Sequence, residues 1–402
     1  MSQPWVLDIS SFSNELRFLL RLLRSDNKLE AEEAAQLAHE LDWPLFLRFA
    51  VYHETYPVLY PLLVQLNANR QWTPDLVMSR LRSLYTRNTM MMLQLRGEME
   101  RVNGLLEERG VRSLFLKGPV LAAMLYGDVS GRTSGDLDIL VAKQDWDASV
   151  QQLLSAGYVL AEQYDEEEVL NNTERKTHHV SYIHREKNIE VELHWSLNPD
   201  TVTEPSFEEL WSRRQASSLH RSVFTLGNED LLVYLILHGT RHGWSSLKWL
   251  LDIDRMMVQF LNWNRTNMLF DESGNRVLGG EAFLLATQLL GTLLPEEAHA
   301  LTFEPKAMRL ARMVLPFIRE ELILYPKPER KDIAVLFNRY LLATMNPRQR
   351  LLYLTNKLYP SSKDRSVLPL PRSLHFLYFP LRPFLWFWRQ VKRQAPKEEA
   401  SS

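Results

Sequence analysis

The sequence predicts an α+β protein, in which a small mixed unit of strands and helices is set between α-helical N- and C-terminal regions. Three observations predict it. Apolar residues recur at helical spacing on both flanks, as at Leu16, Leu19, Leu20 and Leu23. Between Val111 and Trp195, short β-type runs replace them, separated by loops rich in Gly, Ser, Thr and Asp. The chain has 402 residues, 45% hydrophobic and 24% charged, enough for a sizeable core and more than one domain. The expected divisions are 1–110 (helical), 111–200 (mixed α/β), 201–360 (helical) and 361–402, a tail rich in proline, aromatic and basic residues.

In the first region, residues 31–41 and 45–66 continue the helical pattern, with Pro44, Pro57 and Pro61 as starts or breaks. Thr73 as N-cap, Pro74 at the first position and Asp75 in the first turn then open a long helix reaching Arg109. Its expected stripe is Leu76, Leu84, Met91, Leu95, Met99, Val102 and Leu106, and Met90-Met91-Met92 reads as core filling. In the second region, 111–116 reads as a strand, 119–126 as a helix, 127–135 as a loop and 137–141 as a strand. Residues 145–156 form a helix stopped by Gly157, and 158–161, 178–184 and 188–195 are further strands. The acidic run 165–168 reads as a solvated loop or helix start. Beyond Pro199, helices are expected over 230–239, 247–260, 281–293, 305–324 and 333–342.

Composition narrows the function. There is no cysteine, which excludes disulfides, thiolate metal sites and a cysteine nucleophile, and fits a reducing cytoplasm. Net charge is −2, so no global basic field indicates nucleic acid. Met1 to Asn14 lacks the pattern of a signal peptide, and no apolar run is long enough to read as a transmembrane helix.

Chemistry concentrates in Asp136-Leu137-Asp138-Ile139-Leu140-Val141. On a strand, residues two apart share a face, so Asp136 and Asp138 project together while Leu137, Ile139 and Val141 enter the core. Parallel carboxylates repel each other, which makes a capping pair the poorer reading and a cation-binding pair the better one. Such oxygen ligands suit Mg²⁺ or Mn²⁺, with substrate phosphates completing the shell. A third carboxylate is expected from Asn188-Ile189-Glu190-Val191-Glu192-Leu193-His194-Trp195. Glu190 and Glu192 both qualify; Glu192 is preferred, as metal ligand and as general base or its orienter. His194 shares that face and either braces Glu192 or touches substrate. Leu116-Lys117-Gly118-Pro119 ends a strand and opens a helix, where a glycine lets backbone amides approach an anion. Lys117 and Arg132 flank the expected phosphate position, with a surface lysine and a structural salt bridge as the competing readings.

Lys117-Gly118, the run from Arg132 through Ser134, Asp136 and Asp138 to Val141, and Glu192-Leu193-His194-Trp195 together resemble the uncharacterised bacterial nucleotidyltransferase family, part of the DNA polymerase β-like nucleotidyltransferase superfamily. The resemblance continues at Leu237-His238-Gly239-Thr240-Arg241-His242-Gly243-Trp244 and Lys248-Trp249-Leu250-Leu251-Asp252-Ile253. It implies a small mixed sheet flanked by helices. It also implies in-line attack of an acceptor hydroxyl on the α-phosphorus of a nucleoside triphosphate, with release of pyrophosphate. Asp136, Asp138 and Glu192 would hold the metal, and Lys117, Gly118, Arg132 and Ser134 the nucleotide. One departure stands out. The superfamily usually places Gly-Ser or Gly-Gly after the first strand, whereas Pro119 offers neither hydroxyl nor amide hydrogen. Lys117, Arg132 or Ser134 would have to compensate.

His238 and His242 lie four apart on one helical face, expected on the substrate side or packed against the sheet, with metal binding the weaker reading. Asp252 and Asp254 are expected to pair with Arg241, Arg255 or a histidine. In the tail, Phe376, Tyr378, Phe379, Phe384, Trp386, Phe387 and Trp388 alternate with Arg372, Arg382, Arg389, Lys392 and Arg393. Packing on the helical domain is the plainest reading; a membrane surface contacted through residues 368–393, hence a peripheral location on the inner membrane face, and a nucleic-acid surface are its rivals. Three other biological roles fit the same residues: a non-catalytic nucleotide-binding scaffold or sensor, a toxin-like enzyme acting on tRNA or protein, and a membrane-associated biosynthetic enzyme.

Overall fold

A computed structural model describes residues 5–26, 29–69, 71–161, 178–198 and 204–322, and 324–388 in part. The acidic run 165–168, several tail aromatics (Phe376, Phe379, Trp386, Phe387) and Arg372, Arg389, Lys392 and Arg393 lie outside the described residues.

Four helices come first: α1 (Asn14–Leu23), α2 (Ala31–Leu37), α3 (Trp43–Tyr52) and α4 (Tyr56–Leu66). Ser13 caps α1 by accepting from the Leu16 amide, and Asp42 caps α3 by accepting from the Leu45 amide. The long helix α5 (Asp75–Glu107) follows. Its N-cap is Pro74 rather than Thr73, whose hydroxyl accepts from Asn67 instead. The buried stripe matches expectation at Leu95, Met99, Val102 and Leu106 and differs in the first half, where Val77 and Met92 are buried while Leu76, Met90 and Met91 face solvent. The stripe of a long helix is fixed by what it lies on, and α5 lies on a sheet.

That sheet has five strands in the order β1-β2-β5-β4-β3: β1 (Ser113–Phe115), β2 (Asp136–Val141), β3 (Val159–Leu160), β4 (His179–His184) and β5 (Ile189–His194). Only the β2–β5 pair is parallel. Helix α6 (Pro119–Tyr126) connects β1 to β2, and α7 (Trp146–Ser155) connects β2 to β3, with Gly157 at φ +90° in the turn after it. One sheet face carries Leu137, Ile139, Val141, Val191 and Leu193, which form a core with Met92, Leu95, Met99, Val102 and Leu106 of α5. The opposite face turns toward a second, larger core, which Leu140 joins.

That larger core belongs to the helical flanks. After α8 (Phe207–Ser212) and a small hairpin of β6 (Gln215–Ala216) and β7 (Phe224–Thr225) come α9 (Asn228–Arg241), α10 (Leu247–Met256), α11 (Trp263–Ser273), α12 (Arg276–Leu290), α13 (Glu296–His299), α14 (Pro305–Arg319), α15 (Lys331–Thr344) and α16 (Pro347–Leu358). Residues of α1, α3, α4, α9, α10, α12 and α14 share one apolar cluster, so the N- and C-terminal helices close on each other around the sheet unit. The sequence pattern misses α11, which begins at the Asn262 cap, and starts α12 too late. Among the described residues, no helix is long and apolar enough to cross a membrane.

Candidate active site

Register builds the site. Along the parallel β2–β5 pair, Asp136 lies opposite Glu190, Asp138 opposite Glu192 and Leu140 opposite His194. Strand β4 adds Ser181 opposite Glu192 and His179 opposite His194. Because side chains alternate, every one of these residues sits on the face away from α5. The apolar partners under α5 hold that face in place.

Asp138 is 1% exposed. Lys117 Nζ lies 2.9 Å from its Oδ1, and His194 Nε2 lies 3.3 Å from the same oxygen and 3.4 Å from Glu192 Oε2. His179 Nε2 is 3.6 Å from Glu192 Oε1. These are contacts of charge and distance: neither Asp138 oxygen receives an aligned hydrogen bond. The donor atoms of Asp138, Glu192 and His194 all lie within 4.8 Å of one another, and so do those of His178, His179 and His194. Asp136 belongs to neither group; its Oδ1 accepts from the Ser134 hydroxyl at 3.2 Å. Glu190 is likewise outside both. Two carboxylates and an imidazole that converge around orphaned buried oxygens could hold a divalent cation.

The electrostatics follow from this crowding. Burial alone would raise the Asp138 carboxyl, but Lys117 and then His194 hold it well below the usual carboxylate range. Burial opposes ionisation of Glu192 too, and the His194 contact outweighs it, leaving its pKa lowered. His194 is raised despite burial, because Asp138 and Glu192 both face it. Asp136 is pushed up to about 6 by burial and by the charge of Asp138. Lys117 is raised because Asp138 outweighs its burial.

A rigid loop presents the acids. Gly118 caps α6 at φ +70°, a backbone that L side chains rarely adopt, and a Cβ there would meet the Asp136 carbonyl oxygen at 3.4 Å. Asn88 of α5 donates to the carbonyls of Ser130 (3.0 Å) and Arg132 (3.2 Å). Arg132 is 4% exposed, and its Nε and Nη2 grip Asp252 of α10 at 2.9 Å each, while Nη1 donates to the Thr133 carbonyl. Tyr126 donates to the same Asp252 at 2.9 Å. Thr133 donates to Glu54, which also pairs with Lys248 at 2.7 Å.

The structure therefore brings Asp138, Glu192, His194 and Lys117 together, with Asp136, Ser134 and Gly118 adjoining. It brings Arg132 to Asp252 rather than to the acid pair. Asp252 and Asp254 do not pair as expected. Arg132 and Tyr126 occupy Asp252, and Ser25 and Thr292 donate to Asp254 at 2.8 and 2.7 Å. His238 and His242 pack ring to ring with centroids 4.6 Å apart, and both approach Trp249. Burial keeps both imidazoles well below their usual pKa, with Lys117 next for His238 and Arg241 next for His242. Sequence reasoning missed His178 and His179. Their signal was available, since a strand that pairs with 188–195 would carry one of them beside His194.

A family model described as an uncharacterised nucleotidyltransferase matches residues 39–291. No curated protein matches the chain, and no solved structure does. The matched span takes in helices α3 to α12 with the whole five-stranded sheet and exceeds half of the chain, so the protein belongs to this uncharacterised nucleotidyltransferase family.

Proposed function

We propose that the chain moves a nucleoside monophosphate from a nucleoside triphosphate to a hydroxyl acceptor and releases pyrophosphate, with Mg²⁺ or Mn²⁺ as cofactor. The observation that carries this reading is Asp138: an almost fully buried carboxylate with no aligned donor on either oxygen, flanked by Glu192 and His194. A buried acid of this kind is costly unless a cation completes its surroundings. Asp136, Asp138 and Glu192 are the residues to hold it, with His194 beside them. When bound, the cation supplies charge neutralisation to the triphosphate oxygens.

The chain's own residues do the rest. Glu192, kept ionised by His194, takes the proton of the acceptor hydroxyl. The acceptor oxygen then bonds to the α-phosphorus as the bond from that phosphorus to the bridging oxygen breaks, and pyrophosphate leaves with the electron pair. Lys117, paired with Asp138, keeps positive charge beside the phosphates without leaving that ion pair to donate to them. The acceptor sits between the sheet and α9, which carries His238 and His242.

One observation favours a second reading, a non-catalytic nucleotide-binding scaffold. Pro119 is buried at the first position of α6, where it offers the phosphates no donor. The test separates the two. The native protein and an Asp136→Ala/Asp138→Ala variant are incubated with each labelled nucleoside triphosphate, Mg²⁺ and cell extract. Transfer of label with pyrophosphate release, lost in the variant, is the expected result. Nucleotide binding without pyrophosphate release would leave the scaffold, and neither binding nor transfer would sink both.

A further inference from the structure

The three residues that might replace the donor missing at Pro119 are already engaged: Lys117 with Asp138, Arg132 with Asp252, and Ser134 with Asp136. A different cation stands nearby. Arg241, the last residue of α9, is half-buried, and among the described residues no carboxylate lies within ion-pair reach of it. Its Nη1 lies 3.1 Å from His178 Nε2 and its Nη2 lies 3.3 Å from His238 Nδ1. The His178 ring is in turn 5.2 Å from that of His194, so this group adjoins the acid row.

A guanidinium can only donate, so the ring nitrogens of His178 and His238 that face Arg241 accept from it. Among the described residues, the guanidinium therefore meets two imidazole nitrogens and no carboxylate. A neutral imidazole that accepts at one ring nitrogen carries its hydrogen on the other, so His178 offers Nδ1–H and His238 offers Nε2–H. A guanidinium fork with unused donors, next to two imidazole N–H groups, has the donor set of an oxyanion site and matches phosphate geometry.

We propose that Arg241, with His178 and His238, forms a phosphate-binding pocket on the helical side of the acid row. Its ligand is a phosphate group, either part of the nucleotide's triphosphate or carried by the acceptor. The pocket supplies from α9 what the Pro119 turn withholds.

The test is calorimetric titration of the full chain with inorganic phosphate and with tripolyphosphate, in chelator so that no cation mediates binding. The native protein should bind both, and raised salt should weaken binding. Arg241→Gln should weaken it at least tenfold, and Arg241→Lys, which keeps the charge without the fork, severalfold. Thermal unfolding of each variant checks that it folds, and Arg241→Lys carries the test if Arg241→Gln does not. A repeat with a saturating non-hydrolysable nucleotide distinguishes the sources. Displacement of inorganic phosphate assigns the pocket to the triphosphate, and simultaneous binding assigns it to the acceptor. Absence of phosphate binding by the native protein, or equal binding by native and both variants, would overturn the proposal. The assay needs no turnover, so phosphate binding through Arg241 without nucleotide transfer would remove the enzymatic reading and keep this one.

Discussion

Two buried aspartates 114 positions apart, Asp138 on β2 and Asp252 on α10, differ in how their surroundings treat them, although both are 1% exposed. Asp252 accepts hydrogen bonds from Arg132 on both oxygens and another from Tyr126. Asp138 has two cationic groups at contact distance and no aligned hydrogen bond. The first carboxylate is fully hydrogen-bonded; the second is held by charge alone. The Arg132–Asp252 ion pair welds the loop of residues 128–135 to the helical side, next to the strand that carries Asp136 and Asp138. Buried polar groups are ordinarily paired, so where the pairing fails in a stiff frame, function is the economical explanation.

The contrast predicts its largest effect at the weld. Asp252→Asn leaves the buried Arg132 guanidinium short of a counter-charge and should cost about 3–5 kcal/mol in denaturant unfolding. Asp138→Asn should cost clearly less, because Asp136 and Glu192 still face Lys117. Equal losses at the two positions would erase the distinction between the hydrogen-bonded acid and the one held by charge.

A third buried acid sharpens the comparison. Glu281 on α12 accepts from the Tyr340 hydroxyl at 2.8 Å, and its other oxygen has no partner. Burial pushes its pKa up to about 8 from an ordinary 4.5, against the weaker opposing pull of the Tyr340 hydroxyl and of Lys306. The folded chain therefore keeps this proton while the unfolded chain releases it. Stability conferred by the site is full below about pH 4.5 and is lost as pH rises toward about 8. Glu281→Gln should flatten this slope, leaving the variant more stable than the native protein at pH 8 by on the order of a few kcal/mol. A variant with an unchanged slope would contradict the assignment.

Smaller effects are expected in the loop itself. Gly118→Ala forces a side chain into φ +70° and should cost about 1–2 kcal/mol. Thr133→Val removes the hydroxyl that reaches Glu54 and should cost about 1 kcal/mol. Both are readable as shifts in the unfolding midpoint, and a Gly118→Ala variant as stable as the native chain would mean that the turn before α6 relaxes freely.

Much of the site is legible in the sequence because it is local. Alternation in Asp136–Val141 and Ile189–His194 predicts which residues share a face, and Pro119 marks the start of α6. What the sequence hides is long-range pairing. Nothing in the order of residues says that Arg132 will meet Asp252: a salt bridge is one of its two readings in the sequence, but with the neighbouring acid pair as partner rather than an acid on α10. The parallel register of β2 with β5 is hidden in the same way, although Glu192 is already the preferred third carboxylate beside Asp138. On α5 the expected stripe holds from Leu95 to Leu106, but Met92 rather than Met91 is covered, because the sheet beneath the helix decides which methionine it buries.

We propose that the acid row centred on Asp138 is a divalent-cation site. Equilibrium Mn²⁺ binding followed by electron paramagnetic resonance tests it directly, with the native protein set against a folded Asp138→Asn variant. Stoichiometric binding by the native chain, weakened at least tenfold by the substitution, is expected. Equal binding by the two proteins, or none by either, would contradict it.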